Sequence, residues 1–369
     1  MEELMENLEL KAKFDEMLKY DEKNKNKNIT VAVAMSGGVD SSVTAYLLQK
    51  QGYKIFGVTM KTTEEGIDED ARKVCDDLGI EHYILDISKE FKNKVVNYFV
   101  DEYLKGRTPN PCVVCNKYIK MGELIDFAIE KGADFMATGH YSNVEDGLLK
   151  IGEDLSKDQV YFLSQANKER VKRLMFPLGK LPKSEVRELG KYLGVRVYEK
   201  KDSQEICFVE DGKLEEFLFE ATKGRIAKKG NFVDKNGKIL GQHMGLGFYT
   251  VGQRKGLGIS GTAPYYVINF NKEKNEIILG SNEDLFREYL IANEINLFKY
   301  NSLKEIDGME FFAKTRSRDK FHPCKVDVLS NDEIKVNFIG EKVRAITPGQ
   351  IVALYDNEHR VIVSGFIKN

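Results

Sequence analysis

The stretch Ile29–Gly52, ITVAVAMSGGVDSSVTAYLLQKQG, decides the fold. It opens on the continuous apolar run ITVAVAM, the pattern of a parallel strand buried on both faces. SSVTAYLLQKQG follows with helical spacing and stops on Gly52. Between them, Gly37 and Gly38 let the backbone approach a ligand closely, and Ser36, Ser41 and Ser42 offer hydroxyls. A helix N-terminus adds unpaired N–H groups and the positive end of its dipole. Strand, glycine turn and helix in that order predict a cradle for phosphate or pyrophosphate. The competing reading is a turn that only joins strand to helix. The loop is not of the Walker type, because it has no G-x-x-x-x-G-K-[ST] pattern and no lysine.

The same grammar continues outward. KIFGVTM reads as a second strand and HYILDI as a third. Ala71, Val74, Cys75 and Leu78 share one helical stripe, and Phe91, Val95, Phe99 and Tyr103 share another. YIKMGELIDFAIEKG is helical, and ADFMATGHY is a strand reaching a loop. Alternation of this kind predicts a doubly wound α/β parallel sheet. Beyond about residue 208 the pattern becomes all-β. NFVDKNGKIL carries a hairpin turn at Asn236–Gly237, YYVINFNKEKNEIILG is a second hairpin, and EIKVNFI, QIVALYD and RVIVSGFI are strands of a C-terminal barrel. The expected division is 1–28 as an extension and tether, 29–208 as the nucleotide-binding catalytic domain, 209–285 as a small central module and 286–369 as the β-barrel. Within the extension, Leu4, Leu8, Phe14 and Leu18 suggest an amphipathic helix, and DEKNKNKN a polar tether. GLGISG at Gly256–Gly261 satisfies G-x-G-x-x-G but precedes a strand, so it is a loop rather than a dinucleotide fingerprint.

A chain of 369 residues with 42% hydrophobic and 31% charged residues is an ordinary globular composition. It shows no signal-peptide pattern and no apolar run long enough to span a membrane, which points to the cytoplasm. The net charge of −2 gives no global attraction to nucleic acid, although basic clusters occur at Lys168–Arg173, Lys223–Gly230 and Lys314–Lys320. Five cysteines, an odd and sparse set, argue against a disulfide framework. Cys75 and Cys324 have the setting of buried fillers. Cys112 and Cys115, in TPNPCVVCNKYIK, form a pair open to several readings: redox dithiol, half of a metal site, nucleophile with helper, or buried small residues. Cys207, in KKDSQEICFV beside Asp202, Ser203 and Gln204, is the distant third.

SGGVDS resembles the pyrophosphatase loop of enzymes that adenylate a carbonyl oxygen and then expel AMP. Together with GRTPNPCVVCNKYIK, ATGHY, KDQVYFLS, KKDSQEICFV, YTVGQRKGLGI and TPGQIVALYD, it closely resembles the bacterial tRNA-specific 2-thiouridylase family, from about residue 29 to the C-terminus. That resemblance implies ATP and Mg2+ as cofactors and tRNA as partner, with thiolation of the wobble uridine of Lys, Glu and Gln tRNAs. It places ATP on Ala34, Met35, Ser36, Gly37, Gly38, Val39, Asp40 and Ser41, with Met60 and Gly139 near the adenosine and Asp40 as a candidate magnesium ligand. Cys115 and Cys207 become the catalytic pair, Cys207 carrying sulfur as a persulfide that Cys115 resolves. Asn110, Pro111 and Cys112 fall where the flipped uridine is touched, and His140, Lys157, Asp158, Gln159, Arg316, Ser317 and Gln350 where tRNA is held. The sulfur donor would be a sulfur-carrier protein or free sulfide.

Two departures matter. The family pattern N-P-D-x-x-C has aspartate where this chain has Cys112, and KTTEEGIDEDARKVCDDLG after Met60 is shorter than usual. Cys112, Cys115 and Cys207 could therefore ligate a [4Fe-4S] cluster with one iron open to sulfide, or Cys112 could be a spectator. Two rival functions remain at this point. One is an ammonia-using ligase of the GMP or NAD synthetase type, against which the cysteine set and β-rich C-terminal half argue. The other is a tRNA binder that has lost catalysis, against which the intact loop argues.

Overall fold

The computed structural model describes residues 2–18, 25–63, 69–200, 206–261 and 263–368. Asp202, Ser203 and Gln204, the first half of the polar tether, and part of the segment after Met60 lie outside the described residues.

The chain divides into two compact units. The first comprises residues 1–91 and 116–202, the second residues 92–115 and 203–369. In the first unit, β1 (Thr30–Ala34) is the middle strand of a five-stranded sheet. It pairs in parallel with β2 (Lys54–Lys61) on one side and with the strand Phe135–Ala137 on the other. β3 (His82–Asp86) continues the sheet beyond β2, and Leu174–Met175 continues it beyond Phe135–Ala137. The chain leaves β1 towards β2 but returns on the opposite side, so the end of β1 is a topological switch point, where ligands bind in open α/β sheets. Val31, Ala32 and Val33 are fully buried, as a strand covered on both faces requires. The predicted doubly wound sheet is present.

The helix α1 (Glu2–Met17) packs Phe14 into a cluster with Val39, Val43, Val186 and Leu189. Leu8, assigned to its apolar stripe, is instead 61% exposed. Phe14, Leu10, Met17 and Leu18 supply the buried side.

In the second unit, the two expected hairpins form a four-stranded sheet, with Gly230–Val233 paired to Ile239–His243 and Tyr266–Asn271 to Glu276–Gly280. Gly237 has φ 83° in the turn of the first, a conformation glycine adopts without cost. Six later strands, from Tyr289–Leu297 to Val361–Ile367, close into a barrel. Phe91, Val95, Phe99 and Tyr103 are buried as their spacing predicts.

Candidate active site

The loop after β1 is held from within. The Ser36 amide donates to Ser41 Oγ at 3.2 Å, and the Ser41 and Ser42 hydroxyls donate to the Gly38 carbonyl at 3.0 and 2.9 Å. Gly37 has φ 75°, which bends the chain back over the start of the helix α2 (Val39–Lys50). Gly38 occupies the position before α2 and gives it no side-chain cap. An uncapped helix start at a switch point suits an anion. Met60 sits near the end of β2, half-buried, in register with Leu85.

Gly139 is where it is because nothing larger fits. A Cβ there would lie 2.8 Å from both the carbonyl carbon and the Cβ of Asp40. Next to it, His140 Nδ1 lies 2.7 Å from Thr138 Oγ1. Burial, and then the Lys120 ammonium, push the His140 pKa well below 6.5, so the ring is neutral at physiological pH. Asp158 and Gln159 point their polar atoms at backbone: Asp158 accepts from the Gly152 and Val160 amides, and Gln159 Oε1 from the Tyr141 amide. Lys157 has an exposed side chain.

Three residues around the loop escaped the sequence reading. Lys183 Nζ lies 2.7 Å from both carboxylate oxygens of Asp40, although its side chain is only 10% exposed. The Tyr141 hydroxyl donates to Asp40 Oδ1 at 2.8 Å. Lys200 Nζ donates to the Gly37 carbonyl at 3.3 Å and to Asp70 at 2.9 Å. A signal for Lys183 was present in LPKSEVRELG: a cation in the first turn of a helix opposes the macrodipole and needs a carboxylate to hold it. That helix is Lys183–Tyr192, and Asp154 accepts from the Lys183 amide at 3.1 Å.

In the second unit, Asn110 and Gln350 meet. Asn110 Nδ2 donates to Gln350 Oε1 at 3.3 Å, and Gln350 Nε2 donates to the Thr108 carbonyl at 2.9 Å. Asn110 Oδ1 also accepts from the Val113 amide at the start of the helix Pro111–Cys115. Arg316 is tied to the Ala345 carbonyl and the Thr347 hydroxyl, with Ser317 beside it. On the short helix, Cys112 is exposed and Cys115 buried. Cys207 is exposed in a turn whose Phe208 packs edge-on against Phe99, ring centres 5.3 Å apart. None of the five cysteines is in a disulfide. Among the described residues no group of three or more His, Cys, Asp or Glu is placed to hold a metal. The set Cys112, Cys115 and Cys207 is therefore not brought together as a cluster site. Cys112 and Cys115 stand three apart on one helical turn, the first exposed and the second buried.

Three family models cover nearly the whole chain: a tRNA methyl transferase HUP domain over 29–211, a tRNA methyl transferase PRC-barrel domain over 216–281, and an aminomethyltransferase β-barrel domain over 287–367. A tRNA-specific 2-thiouridylase MnmA 1 of Fusobacterium nucleatum is 59% identical over 365 residues, covering 99% of this chain and 100% of that protein. The chain belongs to the tRNA-specific 2-thiouridylase family. A second member, MnmA 2 of Clostridium botulinum, is 44% identical over 349 residues, covering 91% and 97% of the two chains. Among solved structures, a U34-tRNA thiolase NcsA from Methanococcus maripaludis with its [4Fe-4S] cluster is 24% identical, with a TM-score of 0.37 over 58% of this chain and 71% of that one. Family membership brings an ATP-using pyrophosphatase loop, with ATP and Mg2+ as what that loop serves. Among the described residues no helix is long and apolar enough to cross a membrane.

Proposed function

We propose that this chain is an ATP-dependent tRNA-uridine 2-sulfurtransferase acting on the wobble uridine of Lys, Glu and Gln tRNAs. The observation that carries the reading is the self-braced loop Ala34–Ser41 at the sheet's switch point, in a chain 59% identical over its full length to a 2-thiouridylase. In the proposed reaction the uridine O2 attacks the α phosphorus of ATP and pyrophosphate leaves into the glycine–serine turn. The base is now an adenylate with AMP as its leaving group. The terminal sulfur of a Cys207 persulfide then attacks C2, and AMP departs. Cys115 thiolate attacks Cys207 Sγ and breaks the S–S bond. The products are 2-thiouridine and a Cys115–Cys207 disulfide, which an external thiol reductant must return to two thiols. Thiolate is the reactive form at each step.

The persulfide route is favoured here over a [4Fe-4S] cluster because Cys112, Cys115 and Cys207 are not placed as a metal site. Cys112 then stands where relatives of the common pattern carry aspartate, beside Asn110 and Pro111 at the proposed uridine pocket. Lys157, His140, Arg316, Ser317 and Gln350 are assigned to tRNA. Asp158 and Gln159 serve that surface by fixing the backbone beneath it. Neutral His140 suits hydrogen bonding to a base or sugar, not pairing with phosphate. The division into 29–208, 209–285 and 286–369 is supported by the three family-model segments, and the central module is assigned to tRNA contact as part of the same proposal. A sulfur-carrier protein supplies the persulfide: the Cys207 thiolate takes the outer sulfur of the carrier's own persulfide and the carrier thiolate leaves. Free sulfide is a donor for the cluster route only. The reaction belongs in the cytoplasm.

The test is Cys207→Ala and Cys115→Ala, each assayed for 2-thiouridine and for tRNA binding. Loss of thiolation with binding retained is expected in both, and thiolation surviving in either overturns the assignment. Stoichiometric iron with acid-labile sulfide in anaerobically prepared protein would move sulfur delivery to the cluster route.

A further inference from the structure

We propose that Lys183 is the cation of the phosphate loop, and that Asp40 holds this lysine in place instead of ligating magnesium. The inference rests on the ATP chemistry proposed above.

The loop Ala34–Ser41 contains no basic residue, and its one ionisable side chain, Asp40, is an anion. A carboxylate facing a polyanionic triphosphate repels it, more strongly where water is displaced. The structure supplies the missing charge from 143 residues away. Lys183 Nζ lies 2.7 Å from both oxygens of Asp40, so the ammonium offsets the carboxylate's repulsion of a phosphate and places a positive group beside the loop. Tyr141 completes the arrangement twice over: its hydroxyl donates to Asp40 Oδ1, and its ring centre lies 5.4 Å from the ammonium. Such a carboxylate and ring together stabilise a largely buried ammonium.

The placement is rigid. Gly190 of the lysine's own helix lies against Val39 and Val43 of α2, which fixes Lys183 relative to the loop. Gly139 packs against the Asp40 backbone too closely for a side chain. A magnesium ion bound to Asp40 would sit about 2.1 Å from an oxygen that already has the ammonium 2.7 Å away, which crowds two cations onto one carboxylate. The residues therefore fit a lysine there better than a metal, and magnesium is left to travel on the phosphate oxygens. Lys200, paired with Asp70, donates to the Gly37 carbonyl and brings a second ammonium to the same turn.

Calorimetric titration of the full chain with inorganic pyrophosphate and with ATP, without magnesium, tests this directly. Lys183→Met is expected to weaken pyrophosphate at least tenfold, and Lys183→Arg to retain most of the affinity. Because Lys183→Met alone leaves Asp40 uncompensated, the double variant Lys183→Met/Asp40→Asn removes both charges together. It is expected to fold, and still to bind pyrophosphate at least fivefold more weakly than wild type. The magnesium concentration for half-maximal thiolation in Asp40→Asn should stay within twofold of wild type. Pyrophosphate bound equally by wild type and both lysine variants, or a tenfold rise in magnesium demand in Asp40→Asn, would overturn the assignment. A wild-type protein that bound neither ATP nor pyrophosphate would instead remove the ATP chemistry itself.

Discussion

The phosphate loop and the segment Arg107–Cys115 are both short turns in front of a helix, and they are held in opposite ways. In the loop, the bonds among Ser36, Gly38, Ser41 and Ser42 span three to five residues. In the segment, the Arg107 guanidinium reaches the Ile367 carbonyl 260 residues on, and the Thr108 hydroxyl meets that of Thr250. Asn110 and the Thr108 carbonyl both engage Gln350. Gly349, at φ 93°, lies so close to Thr108 that a Cβ would come within 3.0 Å of its carbonyl oxygen. The loop's turn is braced from within, with remote Lys183, Tyr141 and Lys200 added around it, whereas the cysteine-bearing segment is held mainly by residues far along the chain. Closing such long separations costs little extra entropy per doubling of length, so the arrangement is affordable once the barrel has formed.

The largest expected effect tests which cysteines can work at all. Burial pushes the Cys75 thiol up to about 11 and the Cys324 thiol up to about 12. Against an ordinary thiol near about 8.5, that lowers the thiolate fraction at neutral pH by a factor of roughly a hundred to a few thousand. Brief alkylation of the native protein at pH 8, read by peptide mass spectrometry, should label exposed Cys112 and Cys207 first. Cys115 should follow slowly, and Cys75 and Cys324 only after unfolding. Labelling of Cys324 as fast as Cys207 would break the distinction between structural and reacting sulfur.

Next in size is Gly139→Ala. The added methyl meets Asp40 backbone, which cannot swing aside as a side-chain tip could. We expect a loss of about 1–3 kcal/mol in stability, with ATP binding weakened because Asp40 and its neighbours must shift. Thermal unfolding and nucleotide titration check this, and an unchanged melting temperature would show that the loop is looser than its internal bonds imply.

The contrast between the two turns also explains what could be read beforehand. The strand–turn–helix of the loop, the Asn236–Gly237 hairpin and the buried stripe Phe91, Val95, Phe99 and Tyr103 depend on residues a few positions apart, so the sequence contains their cause. Leu8 failed for the opposite reason. Its helix is oriented by Phe14 packing on Val186 and Leu189, by Lys13 bonding Glu185 and by Asp15 bonding Tyr192, all remote in sequence. Lys183 and Tyr141 stayed hidden because their partner, Asp40, is more than a hundred residues away. Asp158 and Gln159 lie within a motif, yet the bonds from the Gly152 and Val160 amides to Asp158 Oδ1 and from the Tyr141 amide to Gln159 Oε1 are ones no spacing rule predicts.

Gln350→Ala sharpens the comparison from the other side. It removes donors to the Thr108 and Pro109 carbonyls and the acceptor for Asn110. At about 1 kcal/mol for each good hydrogen bond, a destabilisation of about 1–2 kcal/mol is expected. Thiolation should fall while ATP binding stays constant, since none of the loop's bonds involves these residues. Asn110→Ala and the double variant complete a cycle whose coupling should be about 0.5–1.5 kcal/mol. A coupling of zero would mean that the 3.3 Å contact does not hold the segment.

The smallest effect concerns the turn that carries Arg316 and Ser317. His322 is buried between two carboxylates, its Nε2 3.0 Å from Asp319 and its Nδ1 2.8 Å from Glu341. Burial by itself lowers its pKa, but the hydrogen bonds and charges of Asp319 and Glu341 outweigh it, so the pKa is raised above 6.5. Asp319 also accepts from the Thr315 amide and hydroxyl, so the imidazolium braces the turn through it. A raised folded-state pKa means that this stabilisation is complete below pH 6.5 and fades as pH climbs through the folded value. Asp319 and Glu341 themselves have lowered pKa values, so their own contribution is lost only in acid, below the ordinary carboxylate range. Wild type should therefore exceed His322→Gln in unfolding free energy by more at pH 6 than at pH 9. An identical gap at both pH values would mean that the ring acts by shape alone and that its charge does not hold the turn.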